Sequence, residues 1–152
     1  LLLVEDESSH VGRVRVPPAL FDVMRRRPLL HLVTTDADRL RRIHRAYAVE
    51  PARAHGIEPV KAALVAAITK LRQRLSGEVA AGMIHALEDA DRQGAWLDPE
   101  AFRPVVLPLL HDYYDPAYRK GLAKSGREVV ARGDAASLAS WVTTHAALLE
   151  HP

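Results

Sequence analysis

Three short apolar segments constrain the fold of this chain more than any other feature. They cover Leu1–Val4, Leu29–Thr34 and Glu128–Ala131, and none shows the alternation of apolar and polar residues that a half-solvated sheet requires. Such runs are typical of parallel strands that helices cover on both faces. The sequence between them has helical periodicity. We therefore predict an α/β fold with about three parallel strands and a large, mostly helical insertion.

The ends of the predicted helices are set mainly by prolines and by breaks in the apolar periodicity. A long helix is predicted over residues 58–75, with further helices beginning at Asp98-Pro99 and at Asp115-Pro116. No repeat or long linker divides the chain. A length of 152 residues suits one domain.

The composition excludes several kinds of site and gives a default location. There is no Cys, so a disulfide, a thiolate metal site and a cysteine nucleophile are excluded within this sequence. The eight His residues lack the spacing of a metal site. The apolar runs are far shorter than the roughly 20 residues that cross a bilayer, so we expect no membrane contact and a cytoplasmic setting. A net charge of +2 is no argument for nucleic acid.

Two acidic residues, Glu5 and Asp6, directly follow the first apolar segment. This is the arrangement of a Walker-B strand, whose terminal carboxylate holds Mg²⁺ beside nucleotide phosphates. We predict Asp6 and Glu5 as catalytic acids, with Asp6 as a possible Mg²⁺ ligand. Acids after a strand also serve as turn or capping residues, and no G-x-x-x-x-G-K-[ST] loop is present. A chain that opens inside a buried strand is expected to be part of a longer protein.

An arginine-rich helix is predicted after the second apolar segment. Arg39, Arg42 and Arg45 flank its apolar face, and a similar helix closes over the phosphates in nucleotide and small-molecule kinases. We predict phosphate contacts for these three residues. A solvated amphipathic helix with basic flanks also explains the pattern. The arginines at 25–27 end an earlier helix, where cations offset the macrodipole.

The segment 111–119 contains three of the four tyrosines of the chain, beside acids and an arginine. The rings of Tyr114 and Tyr118 could stack on nucleic-acid bases, and Arg119 could contact phosphate. The alternative is a helix–helix corner in which the rings pack and their hydroxyls reach backbone groups.

Several of these strings together resemble those of one family, the bacterial tRNA 2-selenouridine synthases, also described as tRNA selenotransferase/geranyltransferase enzymes. The acidic stretch at 4–8, the Y-Y-D-P-x-Y-R signature at 113–119 and the closing strand at 129–133 are similar to that family's motifs. They occur in the family's order over nearly the whole chain. The middle, from about 48 to 100, adds only helical character.

The resemblance implies an origin and a reaction. Residues 1–152 would be the C-terminal part of a P-loop NTPase-like domain, with a partial P-loop-type sheet. The Walker-A loop and an N-terminal rhodanese-like domain with a catalytic Cys are absent from this chain. The family geranylates wobble 2-thiouridine of tRNA from geranyl diphosphate, then uses selenophosphate to leave 2-selenouridine. The fragment alone is expected to lack complete catalysis, and its oligomeric state is not indicated.

Two other functions stay open from the residues alone. The arginine helix also suits a P-loop kinase-like phosphotransferase that acts on a small molecule. If the acids are caps and the tyrosines are packing residues, the chain is instead a non-catalytic helical interaction module.

Overall fold

The computed structural model describes residues 2–6, 8–11 and 13–150, with the backbone alone for residues 11 and 146–150. It divides into two compact units, one of Leu1–Thr34 and Gly121–Pro152 and one of Thr35–Lys120. In chain order the strands and helices are β1 (His10–Val11), β2 (Val14–Arg15), α1 (Pro18–Arg26), β3 (Leu29–Leu32), α2 (Asp36–His44), α3 (Glu50–His55), α4 (Ile57–Leu71), α5 (Gly77–Arg92), α6 (Arg103–Pro108), α7 (Asp115–Ser125), β4 (Val129–Gly133) and α8 (Ala135–Glu150).

The first unit contains two small sheets. Strands β1 and β2 form an antiparallel hairpin, which the sequence did not predict, and β3 pairs with β4 in parallel. Leu30 lies opposite Ala131 and Leu32 opposite Gly133 in the parallel pair. Helix α8 packs on both parallel strands. The predicted second and third apolar segments are therefore confirmed as neighbouring parallel strands.

The first apolar segment is not a strand. Leu2, Leu3 and Val4 have no regular secondary structure and are each more than half exposed, and Leu1 lies outside the described residues. An apolar run becomes a strand only where a neighbouring strand takes its backbone hydrogen bonds. Neither sheet includes residues 2–4. The prediction of about three parallel strands is thus wrong for the first strand, and two parallel strands are observed.

The second unit is helical, and its core confirms the helical insertion predicted between the parallel strands. Leu40 and Leu87 are fully buried, and Trp96 is 2% exposed, as expected for a core tryptophan. The Trp96 indole donates to the Ala48 carbonyl at 3.2 Å, while its own carbonyl lies 2.9 Å from Nε2 of the buried His44. These polar contacts orient the largest ring of the core.

The helix predicted over 58–75 is shorter than expected. Helix α4 ends at Leu71, and a turn then brings Leu75 into the core with 5% exposure. Ser76 caps the next helix by accepting a hydrogen bond from the Val79 N–H at 3.1 Å. In the part of the chain that the structure describes, no helix is both long and apolar enough to cross a membrane.

Two π-helical segments, Arg45–Val49 and Leu109–Tyr114, interrupt the helices of the second unit. Each is followed closely by a proline, Pro51 or Pro116. A proline has no N–H, and its ring crowds the carbonyl four residues earlier. In both segments the residue before the proline donates its N–H to the carbonyl five residues back. The widened turn thereby accommodates the proline without ending the helix.

Candidate functional site

Three exposed tyrosines lie on the second unit, and we call them the tyrosine surface: Tyr47, Tyr114 and Tyr118. Their exposed fractions are 64%, 43% and 67%. Tyr114 and Tyr118 are four residues apart on a helix and share a face. Burial, followed by the charges of Tyr113, Tyr47 and Tyr118, raises the pKa of Tyr114 above its usual range. Tyr47, distant in sequence, is thus one of the groups that contribute to the raised pKa of Tyr114.

Tyr113 holds the tyrosine surface in place from a half-buried position. Its ring meets the Tyr114 ring edge-on, with centroids 4.9 Å apart. The Arg74 guanidinium lies 5.7 Å from the Tyr113 ring centroid and donates a hydrogen bond to its hydroxyl. The Tyr113 ring thus packs as the alternative predicted, but its hydroxyl is bound by the Arg74 side chain and not by a backbone group. Tyr114 and Tyr118 are more exposed.

A two-point ion pair joins the starts of α2 and α7. Arg39 Nη1 donates to Asp115 Oδ2 at 2.9 Å, and Nη2 donates to the other carboxylate oxygen. Both side chains are about three-quarters buried. The hydrogen bond from Arg39 keeps the pKa of Asp115 below its usual range. A second contact, His111 Nε2 to Asp36 Oδ2 at 2.9 Å, joins the same two regions. Arg39 therefore helps to position the helix that contains Tyr118.

The remaining predicted arginines of the second unit are exposed. Arg45 pairs with Glu50 at 2.7 Å, but both side chains are more than half exposed, and such surface pairs are weak. Arg119 lies close enough to Asp115 to contribute to lowering the pKa of that carboxyl. Arg42 is exposed on α2. Arg42, Arg45 and Arg119 are thus accessible to an anionic ligand.

Asp6 lies in the first unit and has a defined partner. Its Oδ2 accepts a hydrogen bond from Arg127 Nη2, and Arg127 Nη1 donates to the Met24 carbonyl at 3.1 Å. The Arg127 side chain is 7% exposed, whereas Asp6 is 42% exposed. Glu5 is exposed beside it. Sequence reasoning missed Arg127, although an arginine placed directly before a predicted strand was an available signal.

The donor set around Asp6 fits Mg²⁺ only in part. Within the described residues, no group of three or more His, Cys, Asp or Glu side chains is placed to hold a metal. Mg²⁺ needs fewer protein ligands, because it keeps several waters and takes one or two carboxylates plus substrate phosphates. Asp6 and Glu5 are accessible carboxylates of that kind, but Arg127 occupies one Asp6 oxygen. A Mg²⁺ ion at Asp6 stays a prediction.

The predicted acids lie in the first unit, whereas the predicted arginine and tyrosine residues lie in the second.

Comparison with known proteins identifies the family of the chain. A family model described as the tRNA 2-selenouridine synthase AAA domain matches residues 1–148. The chain belongs to this family. The resemblance noted in the sequence is confirmed by this match.

Full-length tRNA 2-selenouridine synthases are similar to the chain over most of its length. The protein from Cupriavidus pinatubonensis is 30% identical over 158 residues, covering 96% of this chain and 42% of the relative. The Hahella chejuensis protein is 31% identical over 148 residues, covering 90% and 38%. The chain thus spans less than half the length of the curated relatives it matches. No solved structure matches it.

Proposed function

We propose that this chain is the C-terminal part of the P-loop-type domain of a bacterial tRNA 2-selenouridine synthase. The observation that supports this most strongly is the family match over residues 1–148. The parallel strand pair with its covering helix is compatible with a portion of such a domain. We assign the Walker-A loop and the rhodanese-like domain to the parent protein outside residues 1–152.

The proposed parent is a cytoplasmic transferase with two transfers on wobble 2-thiouridine of tRNA. In the first, the sulfur takes the geranyl group from geranyl diphosphate and diphosphate leaves. In the second, the selenium of selenophosphate attacks C2 of the base and geranylthiol leaves, and water then cleaves the selenium–phosphorus bond to release phosphate and 2-selenouridine. A single site that holds diphosphate and selenophosphate in turn would need cationic groups and an accessible base-binding surface.

The tyrosine surface supports a role for the second unit in tRNA binding. Tyr114 and Tyr118 are 43% and 67% exposed, and stacking of a base on an aromatic ring contributes about 1–3 kcal/mol. Arg42, Arg45 and Arg119 would contact the tRNA backbone. We give Arg39 a positioning role, because Asp115 already occupies its guanidinium on both donor sides.

Asp6 and Glu5 are proposed as the acidic groups of the transferase site. Both are accessible, and Asp6 is fixed by the buried Arg127. Mg²⁺, when bound there, would supply positive charge beside a departing diphosphate. The protein's own contribution is the fixed carboxylate at Asp6 and the exposed one at Glu5.

Replacement of Asp6 in the full-length parent tests this assignment. Asp6→Asn keeps an oxygen that accepts the Arg127 hydrogen bond while removing the charge, so the fold should survive. We expect 2-selenouridine to disappear from tRNA, as measured by nucleoside mass spectrometry. Asp22→Ala, at an exposed acid on α1, is the matched control and should leave the product unchanged. Normal product from a folded Asp6→Asn enzyme would contradict the role of Asp6.

A further inference from the structure

Four arginine side chains of the first unit line one surface cleft, which we call the arginine cleft. Arg25, Arg26 and Arg27 come from the end of α1, and Arg127 comes from the residues just before β4. The cleft has a volume of about 540 Å³. A cleft of that size suits a small ligand.

The arginine cleft has an excess of positive charge. Glu128 supplies a carboxylate to its described lining, and Asp6 pairs with Arg127. Two of the four positive charges are then left without an acidic counterpart among these residues. Arg25 and Arg26 also offset the macrodipole at the end of α1. The macrodipole does not explain Arg127, which belongs to a distant part of the chain.

Arg127 is held rigidly at the cleft. Its side chain is 7% exposed and is fixed by Asp6 and by the Met24 carbonyl. Its buried Nε has no hydrogen-bond partner among the described residues. Asp6 and the Met24 carbonyl occupy both Nη groups, so Arg127 positions the wall of the cleft and adds its charge there. The exposed side chains of Arg25 and Arg27 are the ones accessible to a ligand.

We propose that the arginine cleft binds a small, multiply charged phosphate anion of the pyrophosphate class. Guanidinium groups bind phosphate oxygens through paired N–H donors. Pyrophosphate has two phosphate groups, so it can contact two guanidinium groups at once, which a phosphodiester with one phosphate group cannot do as readily. Trp141 forms part of the wall, with its ring stacked on His145 at a centroid distance of 4.5 Å. In the proposed function Arg127 only fixes Asp6, and the other three arginines of the cleft have no role. The choice of a diphosphate ligand rests on that proposed function.

A fluorescence titration of the 152-residue chain with sodium pyrophosphate tests the proposal. Trp96 is buried in the helical core, so Trp141 is the tryptophan placed to report on the cleft. We expect a saturable change in emission. A Trp141→Phe variant should lose that change while calorimetry still detects binding.

Two surface arginines provide the decisive variant. The side chains of Arg25 and Arg27 are exposed, so replacing both with Gln should leave the melting temperature nearly unchanged. Loss of two phosphate contacts should weaken pyrophosphate binding by about tenfold or more. Arg13→Gln removes an exposed arginine outside the cleft and should leave the affinity unchanged. Arg127→Gln should also lose binding. If that variant does not fold, the double variant at Arg25 and Arg27 tests the proposal.

Three results would overturn the proposal. The first is the absence of saturable pyrophosphate binding by the folded chain. The second is that Arg13→Gln weakens pyrophosphate binding as much as the double variant at Arg25 and Arg27 does. The third is that an RNA oligonucleotide binds through Arg25 and Arg27 and is not displaced by pyrophosphate. No tRNA product is measured in this titration. Its failure is therefore distinguishable from failure of the proposed transferase function.

Discussion

At the scale of single residues, the ion pair between Arg39 and Asp115 holds together two parts of the helical unit that are 76 residues apart in the chain. Both side chains are about three-quarters buried. In the first unit Arg127 makes a similar contact with Asp6, 121 residues away. Local spacing carries no signal for pairs so far apart in sequence, so neither contact could be predicted.

Removal of the Asp115 charge should destabilise the chain. Asp115→Asn leaves the partly buried Arg39 with a weakened partner, so we expect a loss of about 1–2 kcal/mol in the free energy of unfolding at neutral pH. Asp112→Asn, at an exposed acid of the preceding π-helical segment, is the control and should change little. Urea denaturation of both variants measures the difference.

The difference in the free energy of unfolding between the wild type and Asp115→Asn should shrink as the pH falls. The folded-state pKa of Asp115 is lowered, chiefly by the hydrogen bond from Arg39. Its contribution to stability is therefore complete above the unfolded pKa, about 3.9, and is lost as the pH falls through the folded pKa. Denaturation at a series of pH values should show the two proteins converging below about pH 4. A gap that persists unchanged in acid would contradict the role of the ion pair.

Tyr47 is the residue whose role in the proposed tRNA surface depends most on the structure. Tyr47→Ala in the full-length protein should weaken tRNA binding by about tenfold, as Tyr118→Ala should, because each change removes a stacking ring. Fluorescence anisotropy with labelled tRNA measures the affinity. Leu97→Ala removes an equally exposed, non-aromatic side chain, since Leu97 and Tyr47 are each 64% exposed. Equal tRNA affinities for Tyr47→Ala and the wild type would show that Tyr47 does not contribute to tRNA binding.

At the scale of elements, local sequence signals predicted the starts of some helices, but neither the end of α4 nor the geometry inside the helices. Pro51 and Pro116 are evident in the sequence, and the helix start at Asp115 was predicted. The π-helical turns before both prolines were not predicted, because they depend on hydrogen-bond choices along a continuing helix. The prediction of a strand at the first apolar segment was wrong for another reason. Strand formation depends on pairing with a neighbouring strand, which local sequence does not specify.

Two glycines, one inside α5 and one just after it, should respond in opposite ways to a methyl group. Gly82 lies inside the helix with nothing within 4 Å of an added Cβ, so Gly82→Ala should stabilise the chain by about 0.5–1 kcal/mol. Gly94 follows the helix with φ of +66°. Gly94→Ala should destabilise it by about 1 kcal/mol, because L residues are strained in this region. Thermal unfolding followed by circular dichroism measures both shifts, and a stabilising Gly94→Ala would contradict the observed turn.

At the scale of the whole molecule, the family could be identified from the sequence, whereas the arrangement of its site could not. The Y-Y-D-P-x-Y-R string and the two apolar segments at 29 and 128 gave the family and the parallel pair. The helical middle contributed no motif, yet it supplies Arg74, which supports Tyr113. These contacts are set by packing between distant helices.

We propose that the parent of this chain is a tRNA 2-selenouridine synthase, and its reaction can be followed by mass spectrometry of nucleosides. The assay uses tRNA that contains 2-thiouridine, incubated with the full-length protein, geranyl diphosphate and selenophosphate. We predict 2-selenouridine in the product, and a geranylated 2-thiouridine when selenophosphate is left out. A folded protein that binds tRNA but yields neither nucleoside would contradict the claim.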